Sequence, residues 1–467
     1  MRHLLGLRRR VRRTVVVLLA LTGCLTLDGT VAGAPAVPAT SGEEVRIAFA
    51  QRYHAVQHGG LVRAANSVVT CRRPVPRTQS AAAGAAACAD VRRGGPGANH
   101  GFDMSHTDID DDPNTYNSSA GEVRMPAGSR VSYARLYWGG NLRAGERKPP
   151  EHSGRVLIAE PGGRYRALFA DTLVGHQAAH GADAFQASAD VTSLVRDSGA
   201  GLYTVAQVNT AKGHSRTGAW GGWTLVVAYE NADEPLRSLS LWDGFDSFGA
   251  PGREHAEVRV GAGRGVGGVG GAGGVVGADG AKGAGGVVGA DGAKGAGGVV
   301  GADVAKGVSG VDGVGGADRP SGAGGVVGAD GPSMAGGAVE ADGPSMAGGV
   351  VGVVAYDGDR GVRGDALRVS AGRGSGPAPL SDPANPSDDV LNSTVSEPGP
   401  PARRSPAYAN TLGYDSDVLP LGDRLRGQRG ELTLRVSSRA DAAWIGVLFA
   451  AVDVPGGTVP RPADRPR

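Results

Sequence analysis

Short runs of alternating apolar and polar residues recur along most of this chain, and a period of two marks a half-buried strand. RVSYARLYWGG (130–140) heads a series continued by GRVLIAE (154–160), RYRALFADTLVG (164–175), GLYTVAQVNT (201–210), WTLVVAYEN (223–231) and LRSLSLWDGF (236–245). All are rich in Val, Leu, Tyr or Trp and are separated by turn residues, so each predicts one or two strands. Residues 45–71 alternate in the same way around His58, Gly59 and Gly60, a spacing that predicts a hairpin. One helical turn stands out in ADVTSLVRDSG (189–199): Asp190 as cap, Val191, Leu194 and Val195 on one face, Gly199 as stop. The alternation runs through AEVRV to Val260 and resumes near 350 with GVVGVVAYDGDRG, DALRVS, ELTLRVSS and AAWIGVLFAAVDV, a Pro-rich stretch filling 376–406. Many short strands with almost no helix predict a mostly β chain. The expected form is an antiparallel β-sandwich of jelly-roll or immunoglobulin-like type, one large or two smaller.

What separates the two β regions is a low-complexity repeat. GAGGVVGADGAK at 271–282 recurs at 283–294, then with drift at 295–306 and 322–333. It accounts for much of a glycine count of 81 in 467 residues. A phosphate-binding loop needs Gly-Lys followed by Ser or Thr, and here Ala-Lys-Gly occurs. Collagen needs glycine at every third position, and a calcium β-roll needs denser aspartates than Asp279, Asp291 and Asp303 supply. A disordered insertion at 261–349 is the remaining expectation. Loop entropy permits it, since each doubling of a loop costs only about 0.6 kcal/mol. The sandwich then consists of a first part at 43–260 and a second at 350–454, with a disordered tail at 455–467.

The first residues change the picture of where the protein works. Arg2, Arg8, Arg9, Arg10, Arg12 and Arg13 precede the apolar run TVVVLLALTGCLTL and a small-residue stretch, the three-part pattern of a secretory signal over 1–36. LTGC at 21–24 also fits a lipobox, which would make Cys24 a lipidation site; an uncleaved signal anchor is the other alternative. Localisation is therefore expected to be secreted or extracellular, or anchored at the outer face of the cytoplasmic membrane, with membrane contact only through the signal or lipid. Net charge is +2, which argues against nucleic acid as a partner. In an exported chain, Cys71 and Cys88 read as a disulfide.

Candidate chemistry is sparse. In DMSHTDIDDDPNTYNSS (103–119), Asp108, Asp110 and Asp112 alternate as in turns that gather oxygens around calcium. Pro113 and Ser119 exclude an EF-hand, because they occupy the positions needing glycine and glutamate. DDVLNST (388–394) partly echoes that stretch, and two further pairs, Asp357 with Asp359 and Asp415 with Asp417, complete a candidate calcium set. GHQAAHGAD (175–183) reads as a polar loop rather than a zinc helix, since glycines flank it and no glutamate intervenes. Trp138, Trp220 and Trp223, each beside paired glycines, form a candidate sugar-stacking platform or pack between sheets. Glu230 and Asp243 are candidate acids for the alternative function, binding or degrading an extracellular polysaccharide.

RVSYARLYWGGN, ADAFQASADVT, TVAQVN, GAWGGWTLVVAYE, LSLWDGFD, VVAYDGDRG and NTLGYDSDV together resemble a family of exported actinobacterial (Streptomyces-type) proteins of unknown function. In many members such a β-rich domain precedes immunoglobulin-like surface repeats. The resemblance covers roughly 46–453 apart from the glycine tract. It implies an extracellular β-rich domain on or near the cell surface; the leading expectation for function is a non-enzymatic adhesion or envelope-interaction module, with a cell-envelope or extracellular protein or glycan as partner. The resemblance brings no catalytic residues, and the expectation for this chain is a β-rich domain without the downstream repeats or a wall anchor. Calcium is the one cofactor expected.

Overall fold

The computed structural model describes residues 47–75, 87–248, 255–260, 348–372, 376–425, 431–440 and 442–454. The expected signal with Cys24, nearly all of the glycine insertion and the C-terminal tail lie outside them. In chain order the strands are β1 (Ile47–Ser67), β2 (Val69–Pro74), β3 (Phe102–His106), β4 (Ser118–Val123), β5 (Arg130–Asn141), β6 (Arg155–Ala159) and β7 (Arg166–Phe169). There follow β8 (Thr172–Ala179), β9 (Ala182–Asp190), β10 (Gly201–Ala206), β11 (Gly221–Glu230), β12 (Leu236–Phe248), β13 (His255–Val260) and β14 (Gly349–Tyr356). The last are β15 (Ala366–Ala371), β16 (Ala378–Pro379), β17 (Val395–Ser396), β18 (Arg404–Ser405), β19 (Tyr414–Pro420), β20 (Leu432–Ser437) and β21 (Ala443–Asp453). Two short helices, α1 (Cys88–Arg92) and α2 (Thr192–Ser198), accompany them.

The alternation read from the sequence becomes stacked antiparallel layers. A ten-stranded sheet runs β17-β19-β14-β21-β12-β1-β11-β5-β9-β8. It folds on itself at β1, so that its halves face each other across a core of Tyr137, Trp220, Val226, Tyr356, Tyr414, Trp444 and Phe449. The outer face of the β14–β21 half packs on the sheet β13-β20-β15-β16 through Val351, Val353, Leu367, Leu434 and Ile445. The outer face of the β11–β5–β9 half packs on β18-β4-β10-β6-β7 through Leu136, Trp138, Val156, Tyr203 and Trp223. Four layers thus share three cores, and the expected sandwich is found in a stacked form. Strands from both sides of the glycine tract interleave: β12 pairs with β21, and β13 with β20. β17 beside β19 is a parallel neighbour in this otherwise antiparallel stack.

The expected hairpin at residues 45–71 is corrected. β1 is one strand of 21 residues. Its first half pairs with β12 as far as His58, and its second half pairs with β11 from Gly59 onward. Gly59 has φ +140°, a conformation open mainly to glycine, and here it lets the strand leave one half-sheet for the other. The helical turn appears as α2. Val191 and Val195 are buried, Asp190 accepts the Thr192 N–H at 2.9 Å, and Gly199 ends the helix at φ +72°. GHQAAHGAD forms the β8–β9 hairpin, with His180 and Gly181 as its two-residue turn.

The Cys71–Cys88 disulfide is present and ties β2 to α1. It sits over a small core of Val69, Val91, Phe102, Met104 and Leu412. Replacing both cysteines with alanine is expected to lower unfolding free energy by about 3 kcal/mol, the closure entropy of such a loop. A urea titration of the two proteins checks this; midpoints that coincide would remove the crosslink from the account.

Candidate functional site

β19 alternates, and that alternation decides where its aspartates go. Tyr414 and Ser416 point across the sandwich and meet Thr224 Oγ1 on β11 at 2.6 and 2.9 Å. Asp415 and Asp417 therefore point the other way, toward Leu419's side, and both are fully buried. They lie beneath residues 385–396, the stretch that contains DDVLNST. Asp417 Oδ1 accepts the Ser396 N–H (2.9 Å), the Ser396 hydroxyl (2.7 Å) and the Thr394 hydroxyl (3.0 Å). Asp415 Oδ1 accepts the Thr394 N–H at 3.1 Å. Two more buried carboxylates adjoin them. Asp365 accepts the Leu391 N–H, and Asp389 Oδ2 accepts the Gly361 N–H at 3.0 Å. Residues 365 and 389 face each other across an isolated parallel bridge.

Burial sets the electrostatics of this cluster. It pushes Asp365 up to about 7, with Asp389 adding to the effect and the Leu391 N–H opposing it. Asp417 is likewise pushed to about 7 by burial, against the pull of Ser396 and Arg63. Burial, reinforced by Asp417, holds Asp415 well above the carboxylate range, and burial raises Asp389 too. In each case water has been withdrawn from a charge that wants it.

The backbone around the cluster is strained. Asp357, Ser393 and Leu412 have φ of 64°, 59° and 56°, values a non-glycine residue adopts only when its surroundings impose them. The hydrogen bonds that impose them interlock. Asp357 N–H donates to Gly413 O (2.8 Å), the Ser393 hydroxyl to Gly358 O (2.6 Å), and Gly413 N–H to Ser393 Oγ (2.7 Å). Asn99 Nδ2 donates to Asp357 Oδ1 at 2.7 Å, and His100 Nδ1 lies 3.3 Å from Asp359.

Three of the sequence-predicted stretches thus come together: Asp357 with Asp359, Asp415 with Asp417, and 388–394. Asp108, Asp110 and Asp112 are engaged elsewhere. Asp110 accepts the Asp112 N–H (3.0 Å) and Asp112 the Asn114 N–H (2.9 Å), the self-bonding of Asx turns. Asp108 accepts the Ser118 hydroxyl at 2.6 Å, and Tyr165 donates to Asp110. Asp110 and Asp112 border an open cleft of about 580 Å³ with Ile109, Arg164 and Tyr165. Sequence reasoning missed Asp365 and Asn99, and it quoted Asp389 and Ser393 only as part of an echo. Among the described residues, no group of three or more His, Cys, Asp or Glu stands in a metal-holding arrangement.

The sugar-platform expectation is corrected. Trp138, Trp220 and Trp223 are 0% exposed. Trp138 Nε1 donates to Ser153 O (2.8 Å), Trp223 Nε1 to Ser119 Oγ (2.9 Å), and Trp220 packs on Trp444 and Tyr356. The neighbouring glycines serve the packing, with Tyr356 pressed on Gly139 and Tyr414 on Gly222. Glu230 and Asp243 do not converge either. Glu230 pairs with Arg130 at a strand end, while Asp243 is buried among Arg52, Arg135 and Tyr137.

No family model matches the chain, and no curated protein does. Among solved structures, a chain in the atomic structure of Sulfolobus Turreted Icosahedral Virus is similar at 8% identity, over 75% of this chain and 63% of that one. This chain therefore spans less than two thirds of that chain's length. The TM-score is 0.14, too low for the likeness to carry a fold or a function.

Proposed function

We propose that this protein is a secreted or cell-surface-associated β-sandwich that works by contact rather than catalysis, as an adhesion or envelope-interaction module stabilised by calcium. The supporting observation is where the fold puts its chemistry. All five tryptophans are buried, the sequence-predicted acid pair is split, and the densest cluster of carboxylates lies inside the stack. Large apolar side chains that do reach the surface include Phe169, 66% exposed on edge strand β7, and Ile109 and Tyr116 in the β3–β4 connection. An exposed aromatic on a free strand edge is a contact feature. The secretory pattern at the N-terminus and the resemblance to exported proteins point the same way. Among the described residues, no helix is long and apolar enough to cross a membrane.

The test is sedimentation of the full chain with purified bacterial envelopes, alongside its Phe169→Ser variant, with reducing ends assayed in parallel on a panel of extracellular polysaccharides. Saturable co-sedimentation, weakened in the variant and without new reducing ends, is the expected result. Release of reducing ends would move the protein to the polysaccharide-degrading alternative.

A further inference from the structure

Three buried carboxylates surround Leu391 with no arginine or lysine of the described residues in ion-pair contact. Asp365, Asp389 and Asp415 are 2%, 8% and 0% exposed. Arg363 pairs instead with Asp388, and Arg360 Nη2 donates to Ala409 O. Two of their oxygens, Asp389 Oδ1 and Asp415 Oδ2, are buried without a hydrogen-bond partner. Buried charges are ordinarily paired or bound to metal, because an unpartnered one costs several kcal/mol or more.

The space in front of these oxygens is defined by Gly358. A methyl group there would stand 2.6 Å from Asp415 Oδ2 and 2.4 Å from Leu391 O, so a carboxylate and a carbonyl converge where only glycine leaves room. Asp365 is tied to the same residue through the Leu391 N–H, and Asp389 lies two positions earlier, bridged to Asp365. The other aspartates are held from elsewhere: Asp357 by Asn99, Asp359 by His100, and Asp417 through Oδ1 by Ser396 and Thr394 with Arg63 drawing on its charge, although its Oδ2 is buried without a hydrogen-bond partner.

We propose that Asp415, the Leu391 carbonyl, Asp365 and Asp389 bind one divalent cation of the calcium class beside Gly358. The donors are all hard oxygens, part carboxylate and part carbonyl, which suits calcium and disfavours zinc. The side chains do not meet on one point, so binding requires Asp365 or Asp389 to turn an oxygen toward the Asp415–Leu391 pair. A dication would also offset the burial that makes these carboxylates resist ionisation. The inference deepens the calcium part of the reading above and is independent of the adhesion part.

The experiment uses the full chain, stripped with chelator and dialysed, with terbium as the probe. Tyr356 and Tyr414, each adjacent in sequence to the cluster, are placed to sensitise its emission. Saturable 1:1 emission is expected, displaced by calcium rather than magnesium, together with a melting temperature that calcium raises by several degrees. Asp415→Asn is expected to weaken binding by roughly tenfold or more, and Asp110→Asn to leave it unchanged. Asparagine keeps the shape of the buried carboxyl; should Asp415→Asn fail to fold, Asp389→Asn replaces it with the same expectation. Absence of saturable emission and of any thermal shift overturns the site and assigns the cluster to protons instead. Binding lost in Asp110→Asn but kept in Asp415→Asn overturns it in favour of the exposed loop. Envelope co-sedimentation, measured on the same samples, separates the two readings: if it persists while calcium binding is absent, only the cation site falls.

Discussion

Gly59→Ala is expected to cost about 4 kcal/mol or more, enough to remove the cooperative native state of a marginally stable chain. Two effects add. The backbone at φ +140° lies where L side chains rarely go, and a methyl group would stand 1.9 Å from the Tyr229 carbonyl oxygen. That oxygen belongs to β11, so it cannot retreat without opening the β1–β11 ladder. The site is also where β1 passes between half-sheets, and β1 is the strand that joins them. Gly128→Ala is the control. It has φ +78° and nothing near the added methyl, so only the conformational cost of about 1 kcal/mol applies. Urea unfolding followed by near-ultraviolet circular dichroism distinguishes them. A Gly59→Ala protein within 1 kcal/mol of wild type would mean that β1 does not cross between half-sheets at this residue.

The same glycine shows how far the sequence can be read. Short apolar runs between turn residues identified nearly every long strand, because that pattern is local and survives even where, as in β11 and β21, both faces are buried. Whether His58-Gly59-Gly60 reverses the chain or carries it onward is not local: it is decided by partners on β11 and β12, Tyr229, Glu230 and Leu236, far along the chain. Asp415 and Asp417 were legible as a pair but not as buried. In a turn such spacing gathers ligands; in β19 it places both side chains on one inward face. Asp365 carried no signal and Asp389 only its place in the DDVLNST echo, since neither stands out until the bridge between them brings the two together. The cysteine pair was legible because a chain expected to be exported has few other uses for two cysteines.

Asp243→Ala is expected to destabilise the protein by about 3–5 kcal/mol, the usual consequence of removing one partner from a buried ion pair. Arg52 forks onto Asp243 at 2.8 and 2.7 Å, the Tyr137 hydroxyl donates to it at 3.1 Å, and Arg135 Nε lies 3.8 Å away. Arg135 comes from β5 and Asp243 from β12, so the network clamps one half-sheet to the other. Without Asp243, Arg135 keeps Asp171 and Ser188 but Tyr137 loses the acceptor for its buried hydroxyl. The variant also weighs contact against catalysis. Along β1, Glu230 is opposite Gly59 and Asp243 opposite Ala50, nine positions apart. The two acids thus stand in the ladders of different half-sheets, each held by its own arginines, whereas a glycosidase pair needs its carboxyl groups to face each other across a cleft. A structural Asp243 makes Asp243→Asn less stable in thermal unfolding and changes no reaction. A catalytic one would leave stability intact while abolishing polysaccharide cleavage, and that pattern would return the protein to the hydrolases.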